Sequence, residues 1–142
     1  MRLLLVPILL FGLAACAGCT APGTASPAAA TAPNLTGNWT GSPQGYIEGI
    51  GYIGSSGTIG LQVTGQHGRI FTGNMSIIEA NGSVTTRAVA GALSRDGKSF
   101  TLVQSDTGYD LGTVISDDEI EIVYVSDADP ATVVIDSFTR SA

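Results

Sequence analysis

The chain has 142 residues, and its 12 Asp and Glu outnumber its six Lys and Arg, which gives a formal net charge of −6 at pH 7. A chain this acidic is poorly suited to bind nucleic acid or to dock electrostatically on anionic lipid, so we expect no nucleic-acid partner. The length is enough for one domain with a hydrophobic core.

The N-terminus is typical of a lipoprotein signal peptide. An apolar run from Leu3 to Leu13 rises roughly 16 Å as a helix. That is about half of a bilayer core, which suits a secretory signal better than a membrane span. The residues Leu13-Ala-Ala-Cys16 resemble a lipobox, in which the cysteine is lipidated and becomes the first mature residue. We predict a signal peptide over residues 1–15 and a membrane anchor through a lipid on Cys16. The alternative is an ordinary signal with two incidental cysteines.

The next segment has the composition of a flexible tether. Residues 17–34 are almost entirely Ala, Pro, Thr, Ser and Gly, which cannot form a packed core. We therefore predict a lipidated, disordered tether over residues 16–34 and a folded domain over residues 35–142. Cys19 then has no partner inside the fold, so no internal disulfide is expected.

Four N-x-S/T sequons are possible glycosylation sites, and such sites matter only outside the cytoplasm. They are Asn34, Asn38, Asn74 and Asn81. Together with the lipobox they resemble an archaeal surface lipoprotein, with a bacterial one left open. We predict a location at the cell surface, outside the cytoplasm.

After residue 34, apolar residues alternate with period two, which predicts β-strands and no helix. Two alternatives stay open for the last row, which consists either of Val133 and Ile135 or of Val134 and Phe138. The other predicted rows are Ile59, Leu61 and Val63; Phe71, Gly73, Met75 and Ile77; Val84, Thr86, Ala88, Ala90 and Ala92; Phe100, Leu102 and Gln104; Leu111, Thr113 and Ile115; Ile120, Ile122 and Tyr124.

Turn signals separate these rows at hairpin spacing. They include Gln66-His67-Gly68, Asn81-Gly82 and Asp96-Gly97, in which glycine accepts a positive φ. Consecutive hairpins make an all-β, antiparallel up-and-down meander of eight or nine strands. Closure into a barrel removes the two edges that such a meander leaves unpaired.

Short segments resemble avidins and lipocalins. Leu35-Thr-Gly-Asn-Trp-Thr40 is similar to the first avidin strand and contains the G-x-W of lipocalins. Thr58-Ile-Gly60, Phe71-Thr-Gly73 and Ser137-Phe-Thr-Arg140 are similar to later avidin strands. The resemblance implies a small closed barrel in which Trp39 plugs one end and Arg140 packs over its ring. Biotin binding is not implied, because the ligand-binding asparagine and serine of avidins fall at Gly41 and Gly45.

The segment between the first two avidin-like strands is the candidate for ligand contact. Tyr46, Glu48 and Tyr52 alternate onto one face, so an aromatic and carboxylate surface beside a barrel mouth is available to a small ligand. The alternative is a glycine-weakened strand that pairs into the sheet and carries its tyrosines at the rim.

Catalytic and metal-binding patterns are weak. The acidic turns Ser116–Glu119 and Ser126–Asp129 lack a spaced calcium loop, and His67, the single histidine, is predicted to be an exposed turn residue. No phosphate loop or cofactor fingerprint is present. We therefore expect no enzyme activity, catalytic residue, metal site or cofactor.

These patterns predict a lipid-anchored, non-enzymatic binding module for an unknown small molecule or protein. The alternatives are an interaction protein, such as a secreted-protease inhibitor, and a plain structural lipoprotein of the envelope. The discriminating property is whether the barrel is hollow, since the small predicted row from Val84 to Ala92 leaves interior space.

Overall fold

The computed structural model describes residues 31–54, 57–79, 81–105 and 107–141. The predicted signal peptide, Cys16, Cys19 and most of the predicted tether lie outside these ranges. None of the ranges contains a helix of the length and apolar character needed to cross a membrane.

The described chain folds into nine β-strands, each paired antiparallel with its neighbours. In chain order the strands are β1 (Gly37–Ile47), β2 (Gly51–Ile53), β3 (Thr58–His67), β4 (Ile70–Ile78), β5 (Val84–Leu93), β6 (Ser99–Gln104), β7 (Thr107–Ser116), β8 (Glu119–Ser126) and β9 (Thr132–Arg140).

Pairing between the first and last strands closes the sheet. β1 pairs with β9 from Trp39–Arg140 to Ile47–Thr132, while its other edge pairs with β3. Eight strands, β1 and β3–β9, therefore form a barrel, and β2 is an extra strand on the second half of β1. The predicted all-β meander and its closure are confirmed.

The edge of β1 that faces away from β9 changes partner along its length. β3 pairs with Gly37–Gly41 and β2 pairs with Gly45–Ile47, so three residues between them have no strand on that edge. Pro43 lies in this gap, where a residue without a backbone N–H leaves no donor unpaired.

The predicted turn residues have the backbone geometry that tight hairpins require. Gly68, Gly82 and Gly97 have φ values of 58°, 84° and 70°, in the left-handed region that glycine enters without steric cost. These three turns join β3 to β4, β4 to β5 and β5 to β6.

Most predicted rows face the barrel interior. Four of them supply buried side chains, and in the last strand the alternative with Val134 and Phe138 is the inward one. The buried residues from these rows are Ile59, Leu61, Val63, Phe71, Met75, Phe100, Leu102, Ile120, Ile122 and Phe138.

Two predicted rows lie on the outer face, and the prediction that the row from Val84 to Ala92 faces the interior is wrong. Val84 is 60% exposed, and the inward residues of β5 are instead Val89 and Leu93, which are buried. Leu111 and Ile115 are 49% and 54% exposed. In both strands the inward phase includes a glycine on which a core aromatic ring packs, and this contact decides which face turns inward.

Those two aromatic–glycine contacts organise the core. Phe71 lies over Gly91 of the neighbouring strand, and Phe100 lies over Gly112. A Cβ added at either glycine would overlap the ring. The rings of Phe71 and Phe100 meet edge to face with centroids 5.6 Å apart, a favoured aromatic geometry.

Trp39 and Arg140 lie together at one end of the barrel. They are direct cross-strand partners, and the guanidinium carbon lies 4.1 Å from the centre of the indole ring. Arg140 also donates to the backbone carbonyls of Asn34, Thr36 and Asp117 at 2.7–2.9 Å. The guanidinium therefore ties the last strand to the entry segment of the first.

The residues before β1 cover the same end. Leu35 is buried and its carbonyl accepts the indole N–H of Trp39 at 2.9 Å. Ala32 packs against the core, and the carbonyl of Pro33 accepts a hydrogen bond from Gln66 Nε2 at 2.8 Å. Contact with the barrel thus begins three residues before residue 35, and this end of the barrel is filled.

Gly112→Ala should destabilise the barrel by about 1–3 kcal/mol, because the new methyl group overlaps the buried Phe100 ring. Gly60→Ala is the matched control on β3, where a Cβ meets nothing nearer than 3.8 Å. Its effect should stay within about 1 kcal/mol. Urea denaturation of both variants measures the difference. Equal effects would contradict the packing of Phe100 on Gly112.

Candidate ligand-binding cavity

The other end of the barrel contains a cavity of about 370 Å³. Its walls come mainly from apolar side chains on β1 to β4 and β9, with a few polar side chains among them. The apolar lining is Pro43, Ile47, Ile53, Ile59, Met75, Ile77, Ile78 and Val134, and the polar lining is Glu79, Arg87, Gln104, Tyr124, Thr132 and Asp136. Pockets of this composition at barrel mouths are typical ligand sites.

Three buried polar residues lie at the cavity end of β6, β7 and β9, and two of them, Gln104 and Asp136, line the cavity. Gln104, Asp110 and Asp136 occupy inward positions and are 9%, 0% and 2% exposed. Gln104 continues the row of core residues that contains Leu102, and Asp136 continues the row that contains Phe138. The alternation of the strands therefore turns these polar groups inward along with the core.

Gln104 and Asp110 are hydrogen-bonded to each other. The amide nitrogen Nε2 of Gln104 donates to both carboxylate oxygens of Asp110, at 3.1 Å and 2.9 Å. Gln104 Oε1 and Asp136 Oδ1 have no hydrogen-bond partner among the described residues. Buried polar atoms without a partner are rare and costly, so these two acceptors need an explanation.

The two carboxyl groups hold their protons more tightly than an ordinary aspartate. Burial raises the pKa of Asp110 to about 6, although the Gln104 hydrogen bond opposes the shift. Burial raises the pKa of Asp136 to about 7, and the nearby charge of Asp110 adds to that rise. Arg87 lines the cavity but forms no ion pair with either carboxylate in the described part of the chain.

The predicted ligand residues lie outside the cavity, on the rim. Tyr46 and Tyr52 come together by the pairing of β2 with β1, with ring centroids 5.4 Å apart on the outer face. Glu48 lies in the turn after β1, where its Oε2 accepts a hydrogen bond from the Ala131 amide at 3.2 Å. This is the arrangement of the alternative interpretation, a strand that pairs into the sheet with its tyrosines at the rim.

Sequence reasoning missed Asp110 and Asp136 as site residues. A signal existed for Asp136, because the inward alternative of the last row runs Val134, Asp136, Phe138 and so places a carboxylate inside. Asp110 was not identified, because the row predicted for β7 was the outward one that contains Leu111. Gln104 was placed in an inward row, but its amide was given no role.

The other predicted positions are on the surface. Asn34, Asn38 and Asn81 are exposed and Asn74 is half-buried on β4, so glycosylation stays a prediction. His67 is exposed at the end of β3. Among the described residues no group of three or more His, Cys, Asp and Glu is placed to hold a metal ion.

Apolar side chains also cover part of the outer face near the cavity end. We call them the outer apolar band: Tyr46, Tyr52, Val103, Tyr109, Leu111, Val123, Val125, Val133 and Ile135. Cross-strand pairing makes them neighbours on β6, β7, β8, β9, β1 and β2 in turn. Most are exposed, which is typical of surfaces that contact another molecule.

In comparisons with known proteins the chain matches no family model, and no curated protein is significantly similar to it.

We expect the barrel to lose stability as the pH rises from about 4 through about 7. Both carboxyl groups have raised pKa values in the folded state, so the folded state binds more protons than the unfolded state over this range. The melting temperature should be at least about 5 °C lower at pH 8 than at pH 5, since one pKa unit corresponds to about 1.4 kcal/mol.

Circular dichroism melts of wild type and Asp136→Asn measure this effect. The variant should lose most of the decline, because an amide does not titrate. Asp127→Asn, which changes an exposed carboxylate in the turn before β9, is the matched control and should keep it. A flat wild-type profile, or the same decline in Asp136→Asn, would contradict the burial of an unpaired Asp136 carboxyl group.

Proposed function

We propose that this chain is a non-enzymatic binding module that holds a small, largely apolar ligand in the cavity at the open end of its barrel. The observation that carries the proposal is the cavity of about 370 Å³, walled mainly by apolar side chains and lined by two residues whose buried acceptor atoms have no partner in the described part of the chain. Apolar walls supply affinity, and a few fixed polar groups supply orientation.

The filled end of the barrel supports the same interpretation. Trp39, Phe71, Phe100 and Phe138 pack there, so the space left at the other end is a local feature and not loose packing throughout. Its volume lies near the lower limit of ligand pockets, which are about 300–1,000 Å³. A ligand with one short apolar chain or two linked ring systems fits this size.

The proposal includes an anchor and a location. The Leu13-Ala-Ala-Cys16 motif supports lipidation of Cys16, and the tether composition supports display at the cell surface. The barrel is then held near a membrane with its ligand site exposed to the extracytoplasmic space. The resemblance to avidins and lipocalins is compatible with this role.

The outer apolar band supports a second candidate, an interaction protein such as a secreted-protease inhibitor. Val103, Tyr109, Val125, Val133 and Tyr46 are joined in one cross-strand row, and such a row suits contact with a protein surface. This function does not need a hollow barrel. The two candidates therefore differ in what happens when the cavity is filled.

N-phenyl-1-naphthylamine, an uncharged apolar dye, should bind the wild-type chain with a strong rise in fluorescence. Val134→Trp, which fills the cavity from β9, should weaken binding by at least about tenfold, since loss of the apolar site removes more than 1.4 kcal/mol. Thr132→Trp fills the same cavity from a position nearer the mouth, where the new ring disturbs core packing less.

Val133→Trp is the matched control, because Val133 is the next residue on β9 and belongs to the outer apolar band. It should leave dye binding in the cavity in place. If Val133→Trp and not Val134→Trp removes the signal, the dye binds the band and the second candidate is favoured. If neither the wild-type chain nor any variant binds the dye, the cavity proposal is wrong.

A further inference from the structure

We propose that the ligand of this cavity carries a protonated amine, which lies against Asp136 Oδ1 and Gln104 Oε1 while its apolar part extends toward the mouth. This inference rests on the proposed function and names its ligand class. It follows from the two unpartnered atoms, from the fixed direction of the Gln104 amide and from the charge around the cavity.

Both unpartnered atoms are acceptors when Asp136 is ionised. Asp136 Oδ1 and Gln104 Oε1 are buried without a donor among the described residues, and both side chains line the cavity. An acceptor is satisfied only by a donor, and an ammonium group offers three donors and no acceptor. A carboxylate or phosphate head would leave both oxygens unsatisfied and add repulsion.

The orientation of the Gln104 amide is fixed by its neighbour. Its Nε2 donates to both oxygens of Asp110, so the opposite orientation would place Oε1 against a carboxylate. Since an ionised carboxylate can only accept, the amide oxygen has to point away from Asp110. Gln104 therefore keeps an acceptor, and not a donor, free of Asp110 beside the cavity.

The charge around the site is negative. Asp110 lies close enough to Asp136 to act on its charge, and Glu79, Arg87 and Tyr124 line the same cavity. With Asp136 counted, these are three carboxyl groups and one guanidinium. A cation on the ligand offsets this excess. In the free protein burial and Asp110 keep part of Asp136 protonated, so an arriving ammonium favours the carboxylate and releases its proton to the buffer.

Arg87 is the internal alternative to a ligand cation. It lies on β5 with its side chain along the cavity, but it is not ion-paired to Asp136 or Asp110 in the described chain. If its side chain were the true partner of Asp136, or if it bound an anionic head, Arg87→Met would change the preference among ligands. This gives the experiment its second arm.

The test is calorimetric titration of the full chain with n-octylamine, 1-octanol and octanoate at neutral pH. Octylamine should bind at least about tenfold more tightly than octanol, because hydrogen bonds to charged groups are worth more than neutral ones. Octanoate should bind most weakly. In Asp136→Asn the ratio of octylamine to octanol affinity should fall close to one, and Thr132→Trp should abolish binding of both.

Wild type alone supplies a check that needs no variant. Octylamine titrated in two buffers of different ionisation enthalpy should show proton release, and octanol should show none. Octanol binding as tightly as octylamine would overturn the amine and leave the binding-module proposal standing. Octanoate binding most tightly, with loss in Arg87→Met, would also overturn it. No binding of any compound or of the dye would refute the proposed function itself.

Discussion

The antiparallel pairing of β1 with β9 joins the two ends of the sheet over nine residue pairs, and the other features of the molecule depend on it. An open meander would present β1 and β9 as two exposed edges, each with a row of unpaired backbone groups. Closure pairs both edges with each other and encloses a barrel interior. Trp39 and Arg140 become neighbours by this pairing alone, because 100 residues of chain separate them.

The interior created by closure is divided unequally. Aromatic rings and the segment before β1 fill one end, where glycines on neighbouring strands make room for Phe71 and Phe100. The other end keeps a cavity and buries Asp136 without a counter-ion among the described residues. A buried carboxyl group of this kind lowers the stability of the fold, and such groups are concentrated at functional sites, which is why the proposed function rests on this end of the barrel.

Much of the fold was predictable from the sequence because strand alternation and turn chemistry are local. The turns at Gly68, Gly82 and Gly97 and the inward rows of β3, β4, β6 and β8 follow from such local patterns. The phases of β5 and β7 were not predictable in the same way. In β5 the inward face contains Arg87, and in β7 the larger apolar residues stand outside, so hydrophobicity alone chooses the wrong face.

The site was less predictable than the fold. The contact of Gly112 with Phe100 on the neighbouring strand β6 sets which face of β7 points inward. The alternation of residues within β7 gives no sign of this contact. Asp110 lies on the same face of β7 as Gly112 and is therefore buried in the core. Tyr46 and Tyr52, the more conspicuous residues, are turned outward because Gly45 and Ile47 take the inward positions of β1. The carboxylates of the candidate site lie in core rows, and the predicted aromatic residues lie on the outer face.

Amide hydrogen exchange of Ser42 and Gln44, followed by NMR, tests closure most directly. Ser141 donates to the Asn38 carbonyl, and alternate residues of a strand point their backbone groups to the same neighbour, so both amides face β9. Neither residue pairs with β2 or β3. A closed barrel predicts slow exchange at both amides, comparable with the core of β3 and β4. Exchange as fast as in an unpaired edge strand would show that the sheet is open and would contradict the account.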